Sequence, residues 1–384
     1  MNFTQPIPLS LYVHYPWCVQ KCPYCDFNSH TLKSETSESD YIDALLKQLE
    51  QTLPMIWGRP ISSIFFGGGT PSLISEEGLN RFMSHARALL GFGPNVEVTL
   101  EANPGTVDFE KFAGFYQAGI NRLSMGIQSF DDEMLKALGR IHSGNEAELA
   151  IEAAKKAGFT NFNLDLMFAL PNQTIEQALA DVDRAISFQP PHLSHYQLTL
   201  EPNTPFYKNP PVLPDDDSAW EIQLACQTGI AEAGYQHYEV SGYAKQGKQC
   251  RHNLNYWQFG DYIGLGAGAH GKITNPPEGT ILRTQMPASP GAYIEEMKRP
   301  QPGRQLLVSD GDARFEFMLN ALRLQGGFDL SLFELRTGLP LSNISTALQV
   351  MQEKGWATIS SEKALQLTTQ GKHYLNDVVS LFLE

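Results

Sequence analysis

The chain is expected to fold as an α/β protein, a partial (β/α)6 barrel followed by a mostly helical, winged-helix-like module at the C-terminus. Three observations predict this. Six strand-like segments alternate with helical ones between residues 11 and 201, the pattern of a parallel sheet covered by helices. Glu101, Gln128 and Asp165 recur toward the C-terminal ends of successive strands, the ends that form the active face of a barrel. No G-x-G-x-x-G turn follows any of these six strand-like segments, so an open doubly wound sheet with its ligand at a switch point fits less well.

The elements follow in order. The apolar run LYVHYPW opens the chain and leads directly into Cys18, Cys22 and Cys25. After a polar linker over 34–40, apolar residues at helical spacing predict a helix over 41–53. A strand over 61–66 runs into Gly67-Gly68-Gly69-Thr70-Pro71, and 76–90 reads as a helix. NVEVTLEA alternates as a strand ending on Glu101 and is stopped by Pro104-Gly105. Helix 108–118 leads to strand NRLSMGIQSF, and helix 131–138 passes through Gly139-Arg140 into helix 145–157. Strand FNLDLMFALP, helix 174–188 and strand HLSHYQLTLEP complete the alternation. The proline-rich stretch 205–214 ends in Asp215-Asp216-Asp217, a helix N-terminus signal for 218–233. An aromatic region follows, YQHYEVSGYAKQGKQCRHNLNYWQFGDYIGLGAGAHG. From about residue 312 come helices, among them 331–337 and 342–354, short strands over 356–359 and 364–368, and a last helix. Three segments result: 1–205, the barrel; 206–305, its extension; and 306–384, the terminal module. Winged-helix modules often bind DNA, but in a chain this acidic packing or partner contact is the expected role.

With 384 residues the chain has room for a sizeable core and about two to three domains. A net charge of −14 argues against nucleic-acid binding and against a basic membrane anchor, leaving at most peripheral membrane contact. No apolar run is long enough for a spanning helix, and the N-terminus lacks the basic start and apolar stretch of a signal peptide. Three of the five cysteines lie within eight residues. That usage fits metal binding in a reducing cytoplasm better than a disulfide framework.

The C-x3-C-x2-C array has three thiols where a structural zinc or a plain electron-transfer cluster normally has four ligands. On a [4Fe-4S] cube, three thiolates leave one iron open. That iron can chelate the amino and carboxylate groups of S-adenosylmethionine, whose sulfonium C–S bond one electron from the cluster would cleave. A zinc site completed by Asp26, His14 or His30 is the rival, although the spacing singles out no fourth ligand. Gly67 to Gly69 permit close backbone approach to a ligand, the plain alternative being a tight turn. Glu101, Gln128 and Asp165 could hold an amino group and ribose hydroxyls, and Arg140 a carboxylate. Each, taken singly, also suits a paired barrel residue.

The segments YVHYPWCVQKCPYCDFNSH, GGGTP, EANPG, GIQSF, GRIH and NLDLMFALP resemble the radical S-adenosylmethionine (radical SAM) superfamily. They are most similar to its anaerobic coproporphyrinogen III oxidase-like branch, and within that to the heme-chaperone group. The resemblance covers nearly the whole chain. It implies that Cys18, Cys22 and Cys25 hold a [4Fe-4S] cluster, and that Tyr12, Gly68, Gly69, Thr70, Glu101, Gln128, Arg140 and Asp165 contact S-adenosylmethionine. The dehydrogenase of this branch carries a fourth cysteine two residues after the third, where this chain has Phe27, and a longer N-terminal extension. Both departures point away from coproporphyrinogen decarboxylation. A radical C-methyltransferase is a further alternative.

The run His252-Asn253-Leu254-Asn255-Tyr256-Trp257 resembles the HNxxYW motif of the heme-chaperone group. This implies heme bound near His252 and handed to respiratory hemoproteins, with a heme donor such as bacterioferritin as a further partner and room for a homodimer. An imidazole can ligate heme iron, and Tyr256 and Trp257 offer flat apolar surface. Cys250 is a second candidate ligand, and His270, after a glycine-rich loop, a weaker candidate for the same cavity. Cys226 reads as core and His142 as a local hydrogen-bonding residue.

Overall fold

The alternation read from the sequence is built as a single row of parallel strands with helices packed on its outer face. A computed structural model describes residues 1–32, 37–56 and 58–383. The polar linker expected over 34–40 lies partly outside the described residues, and its end is already helical.

Strands β1 (Leu9–Tyr15), β2 (Ile61–Gly68), β3 (Phe92–Ala102), β4 (Arg122–Gln128), β5 (Phe162–Phe168) and β6 (His192–Gln197) pair in sequence order, all parallel. Helices α1 (Glu38–Ile56), α2 (Glu76–Leu89), α3 (Phe109–Ala118), α4 (Asp132–Ala137), α5 (Gly144–Lys156) and α6 (Ile175–Ser187) return the chain between them. Local signals set their ends. Ser75 caps α2, and Ser143–Glu146 and Thr174–Gln177 form reciprocal capping boxes on α5 and α6, satisfying amides that would otherwise lack partners. Gly119 closes α3 in the left-handed region at φ 101°.

The period of two along each strand then separates two chemistries. Leu11, Ile64, Leu100, Leu123 and Leu164 point outward into the main core beneath the helices and are fully buried. Their neighbours point inward and, Phe65 apart, are polar or carry a hydroxyl. Ser10 bonds Ser63 at 2.8 Å, and Asn163 donates to Ser124 at 2.8 Å. Inward positions higher on the same strands carry Glu101, Gly126 and Asp165, so the barrel interior is a polar chamber walled by a dry shell.

The aromatic region, left without elements above, extends this sheet at both edges. β7 (Gln236–Glu239) and β8 (Gly242–Ala244) add to β6, while β9 (Asp261–Leu265), β10 (His270–Asn275), β11 (Thr280–Gln285) and β12 (Arg304–Leu307) add to β1. The twelve-stranded order is β12-β11-β10-β9-β1-β2-β3-β4-β5-β6-β8-β7. β9 is a seventh parallel strand, with Leu9 opposite Asp261 and Val13 opposite Leu265. These strands are three to six residues long and exist through pairing with distant partners, which a local pattern does not reveal.

Helix α7 (Asp216–Glu232) packs on α6, and the short α8 (Arg251–Trp257) sits across β1 and β2. The C-terminal helices α9 (Asp310–Ala321), α10 (Ser331–Thr337) and α11 (Ser345–Glu353) enclose a second core. There Phe317 meets Phe328, Phe333 and Phe259 at ring distances of 5.4, 5.3 and 5.9 Å. The expected two-stranded wing, Ala357–Ile359 with Ala364–Leu367, has a third strand, Phe328–Asp329. Among the described residues, no helix is long and apolar enough to cross a membrane.

Candidate functional site

At the C-terminal end of β1 the chain turns at Pro16, and Trp17–Cys18 pairs with His30–Thr31 as a two-residue ribbon. Trp17 packs edge-on against Tyr15 and Tyr41, at 5.1 and 4.7 Å. Anchored at this base, loop 19–29 carries Cys22 and Cys25, with the Cys25 amide donating to the Cys22 carbonyl at 3.2 Å. All three thiols are free and line one cavity of about 290 Å³. Arg140 clamps its far side, donating from Nη1 to Cys22 Sγ at 3.6 Å and from Nη2 to the Gly126 carbonyl at 2.8 Å. Burial pushes the Cys18 and Cys25 thiols up, so the thiolate form calls for a cation beside them.

The same cavity is lined by Gly68, Gly69, Thr70, Glu101, Gln128, Arg140 and Asp165. The glycine run owes its identity first to packing. A Cβ on Gly68, whose φ is 117°, would fall 2.6 Å from the His14 ring, and one on Gly69 2.6 Å from the Trp17 carbonyl. The Gly69 and Thr70 amides bond Tyr15 and Trp17 carbonyls at 2.8 and 2.7 Å, and the Gly68 amide donates to Glu101 Oε2 at 3.2 Å. Burial, then the nearby Asp165 carboxylate, pushes Glu101 up to about 8. Asp165 is also raised by burial, opposed by hydrogen bonds from Asn163 at 2.8 Å and Ser124 at 3.0 Å. Gln128 sits at a register shift between β4 and β5 with φ 69°, a bulge that re-aims the side chain. Its Oε1 accepts from the Tyr196 hydroxyl at 2.7 Å. Tyr196, Ser124 and Asn163 went unnoticed in the sequence; the period of two that places Asp165 inward would have found them.

Tyr12 is not brought into this cavity. It lines a second one, of about 460 Å³, that shares Phe27, Gly68 and Glu101 with the first. Aromatic residues Tyr256, Trp257, Phe259 and Tyr262 form much of its wall. His14 lines the same cavity and links Tyr12 to the cysteine loop: its Nε2 donates to the Asn28 carbonyl at 2.8 Å, so its Nδ1 accepts from the Tyr12 hydroxyl at 3.0 Å. Asn28 in turn donates to the carbonyls of Ala267 and Ala288, at 3.0 and 2.9 Å, tying the cysteine loop to the β9–β10 connection.

His252 is placed differently from the expectation of a heme ligand. It is 1% exposed, its Nδ1 lies 2.9 Å from Ser63 Oγ and its Nε2 3.1 Å from the Tyr256 hydroxyl. Both ring nitrogens are therefore occupied, and the ring stands behind Tyr256, outside the cavity wall. Cys250 is equally buried, its Sγ 3.7 Å from Glu97 Oε1, which also accepts the Arg251 and His252 amides at 2.9 and 3.2 Å. The motif holds Tyr256 and Trp257 against the cavity rather than presenting an imidazole to it. Cys226 is buried in α7, and His142 Nε2 bonds the Ile127 carbonyl at 3.1 Å.

Comparison with known proteins decides the family. Residues 12–185 match the radical SAM superfamily and residues 308–373 the HemN C-terminal domain. The chain is 48% identical to the heme chaperone HemW of Escherichia coli over 381 residues, 98% of each chain. It is equally similar to that of Haemophilus influenzae, and 34% identical to that of Bacillus subtilis over 97% of its own length. The chain belongs to the HemW family of radical SAM proteins. The fold is that of coproporphyrinogen III oxidase (HemN) from E. coli, with a TM-score of 0.82 at 22% identity over 98% of this chain and 90% of the other.

Membership of the radical SAM superfamily implies a [4Fe-4S] cluster and S-adenosylmethionine. The residues fit both. Three free thiols, one at the base of the loop and two on it, face a cavity whose remaining wall offers carboxylates, an amide oxygen and a guanidinium. Soft thiolate donors suit iron–sulfur clusters, and the carboxylates and guanidinium are the natural partners of an amino acid's two charged ends.

Proposed function

We propose that this protein is a cytoplasmic heme chaperone on a radical SAM scaffold, which binds heme and passes it to respiratory hemoproteins. The observation that carries the reading is the junction of the two cavities. An aromatic-walled hollow of about 460 Å³ meets the cysteine cavity at Phe27, Gly68 and Glu101. A volume in this range is typical of cofactor sites, and flat aromatic walls suit a macrocycle. The HemW relatives carry heme chaperone in their names over the full length of the chain, which supports the same reading.

In this account Cys18, Cys22 and Cys25 hold the cluster, and Glu101, Gln128, Asp165 and Arg140 receive S-adenosylmethionine, with Gly68, Gly69 and Thr70 forming the floor. When bound, this pair supplies one-electron cleavage chemistry. The chain's own part is position and exclusion of water. Arg140 spans from Cys22 to the Gly126 carbonyl and thereby orients the cluster loop against β4. Phe27, 60% exposed in the structure, is an apolar partition between the cavities. We read residues 1–205 as the cofactor-binding barrel, 206–305 as the wall of the heme cavity, and 306–384 as a packing and partner-contact module. Titrating hemin into the anaerobic, cluster-loaded protein tests the function. A saturable, stoichiometric Soret-shifted complex is expected, and its absence would remove the proposal.

A further inference from the structure

The structure assigns His270 as the residue that would ligate heme iron in the aromatic cavity, an assignment that rests on the heme-carrier reading above. Most of the donors that line the cavity are already engaged. His14 has both ring nitrogens in hydrogen bonds, to Tyr12 and to Asn28. Lys272 is buried, its Nζ 2.9 Å from Asp261 Oδ1 and 3.1 Å from the Phe259 carbonyl. The Tyr256 hydroxyl meets His252 at 3.1 Å, and the Tyr262 hydroxyl accepts from Arg283 at 2.6 Å. His270 is exposed, lines the cavity, and its ring makes no hydrogen bond to any described residue. It is the donor that can turn to an iron without breaking an existing contact.

Its surroundings suit that task. His270 opens β10 directly after a loop with Gly266 and Gly268 at φ 106° and 73°, backbone that lets the ring stand free of its neighbours. Partial burial and the Arg283 guanidinium lower its pKa, which favours the neutral imidazole that ligates metal. The ring also borders an outer hollow of about 590 Å³, which shares Asn28 and Gly268 with the aromatic cavity and carries Arg304. Arg304 has no ion pair among the described residues, so it can receive propionates at the solvent edge. Tyr262 and Trp257 would offer apolar surface to the macrocycle from the same cavity wall.

The test uses the full-length, anaerobically reconstituted protein and hemin. The parent is expected to form a Soret-shifted complex. His270→Ala should shift that band and weaken binding about tenfold or more, and added imidazole should restore the parental spectrum. His270→Tyr should give the distinct spectrum of a phenolate-ligated ferric heme, a gain of signal that misfolding cannot imitate. His252→Gln should keep the parental Soret position. If the parent forms no complex, the heme-carrier reading falls and this assignment with it. If the parent binds and both His270 variants match it in spectrum and affinity, His270 alone is overturned and the carrier reading stands.

Discussion

S-adenosylmethionine should bind the cluster-depleted protein more tightly as the pH rises from 6 to 7.5, because its ammonium, with no iron to ligate, would pair with Glu101. Burial, then the Asp165 carboxylate, pushes that carboxyl from 4.5 up to about 8 in the ligand-free protein. Such a group is about 1% ionised at pH 6 and about a quarter ionised at pH 7.5, while an α-ammonium is still mostly protonated at both. Only the ionised carboxylate attracts the ammonium, so affinity should improve about fifteenfold over this window, or about 1.6 kcal/mol. Near pH 8 the gain should flatten, as the ammonium begins to lose its proton. Anaerobic calorimetry at four pH values reads the slope directly. Glu101→Gln should bind more weakly at pH 7.5 and lose the slope, while Asp165→Asn should move it to lower pH. The same shift has a stability consequence with a definite sign. A carboxyl raised in the folded state costs nothing below about pH 4.5 and destabilises the ligand-free fold increasingly as pH rises through about 8. Glu101→Gln should remove that loss. A flat affinity in the parent, or an equal slope in Glu101→Gln, would refute the pairing.

Three other perturbations follow from the geometry. Replacing any one of Cys18, Cys22 or Cys25 by alanine should leave the chain folded and strip most of its iron and sulfide, measured by metal analysis and loss of the cluster's visible absorbance. Gly69→Ala should cost roughly 1–3 kcal/mol, because the new methyl meets the Trp17 carbonyl at 2.6 Å; urea midpoints check it, with lower iron occupancy expected as the loop base shifts. Lys272→Met should cost roughly 3–5 kcal/mol by leaving buried Asp261 with Arg59, at 2.8 Å, as its one remaining cationic partner among the described residues. An unchanged midpoint would show that the pair contributes nothing.

How much of this was legible in the sequence depended on the range of the interaction. Strands β1 to β6 announce themselves by alternation, and the placement of Glu101 and Asp165 follows from counting by two along β3 and β5. β9 does not announce itself. DYIGL is short, contains glycine, and is a strand because Leu9 to Val13 pair with it across some 250 residues of chain. The same limit misled the reading of His252. A histidine beside Tyr256 and Trp257 looks like a ligand, but its Nδ1 is taken by Ser63, 189 residues away, and no motif records that bond. His270 was weak in the sequence because its loop is mostly glycine and alanine. Its freedom is visible once the neighbours that could bond it are seen to be bonded elsewhere.

Phe27 stands where the two cavities meet. It follows the third cysteine by two positions and is one of three residues common to both cavities, with Gly68 and Glu101. Its backbone carbonyl accepts from Lys21 at 2.9 Å, while the next residue, Asn28, bonds the β9–β10 connection and the His14 ring. The wall between the cavities is therefore part of the cluster loop itself. A ligand that orders loop 19–29 orders the partition and, through Asn28, the loop that carries His270. Where heme favours the ordered loop, cluster or S-adenosylmethionine binding raises heme affinity, and by linkage heme raises theirs by the same factor. The coupling need not be large to serve a carrier: about 1.4 kcal/mol changes the ratio of held to released heme tenfold. On this reading the cofactor site tunes how firmly heme is held through a shared wall, and Phe27 stands where the dehydrogenase branch would have placed another sulfur.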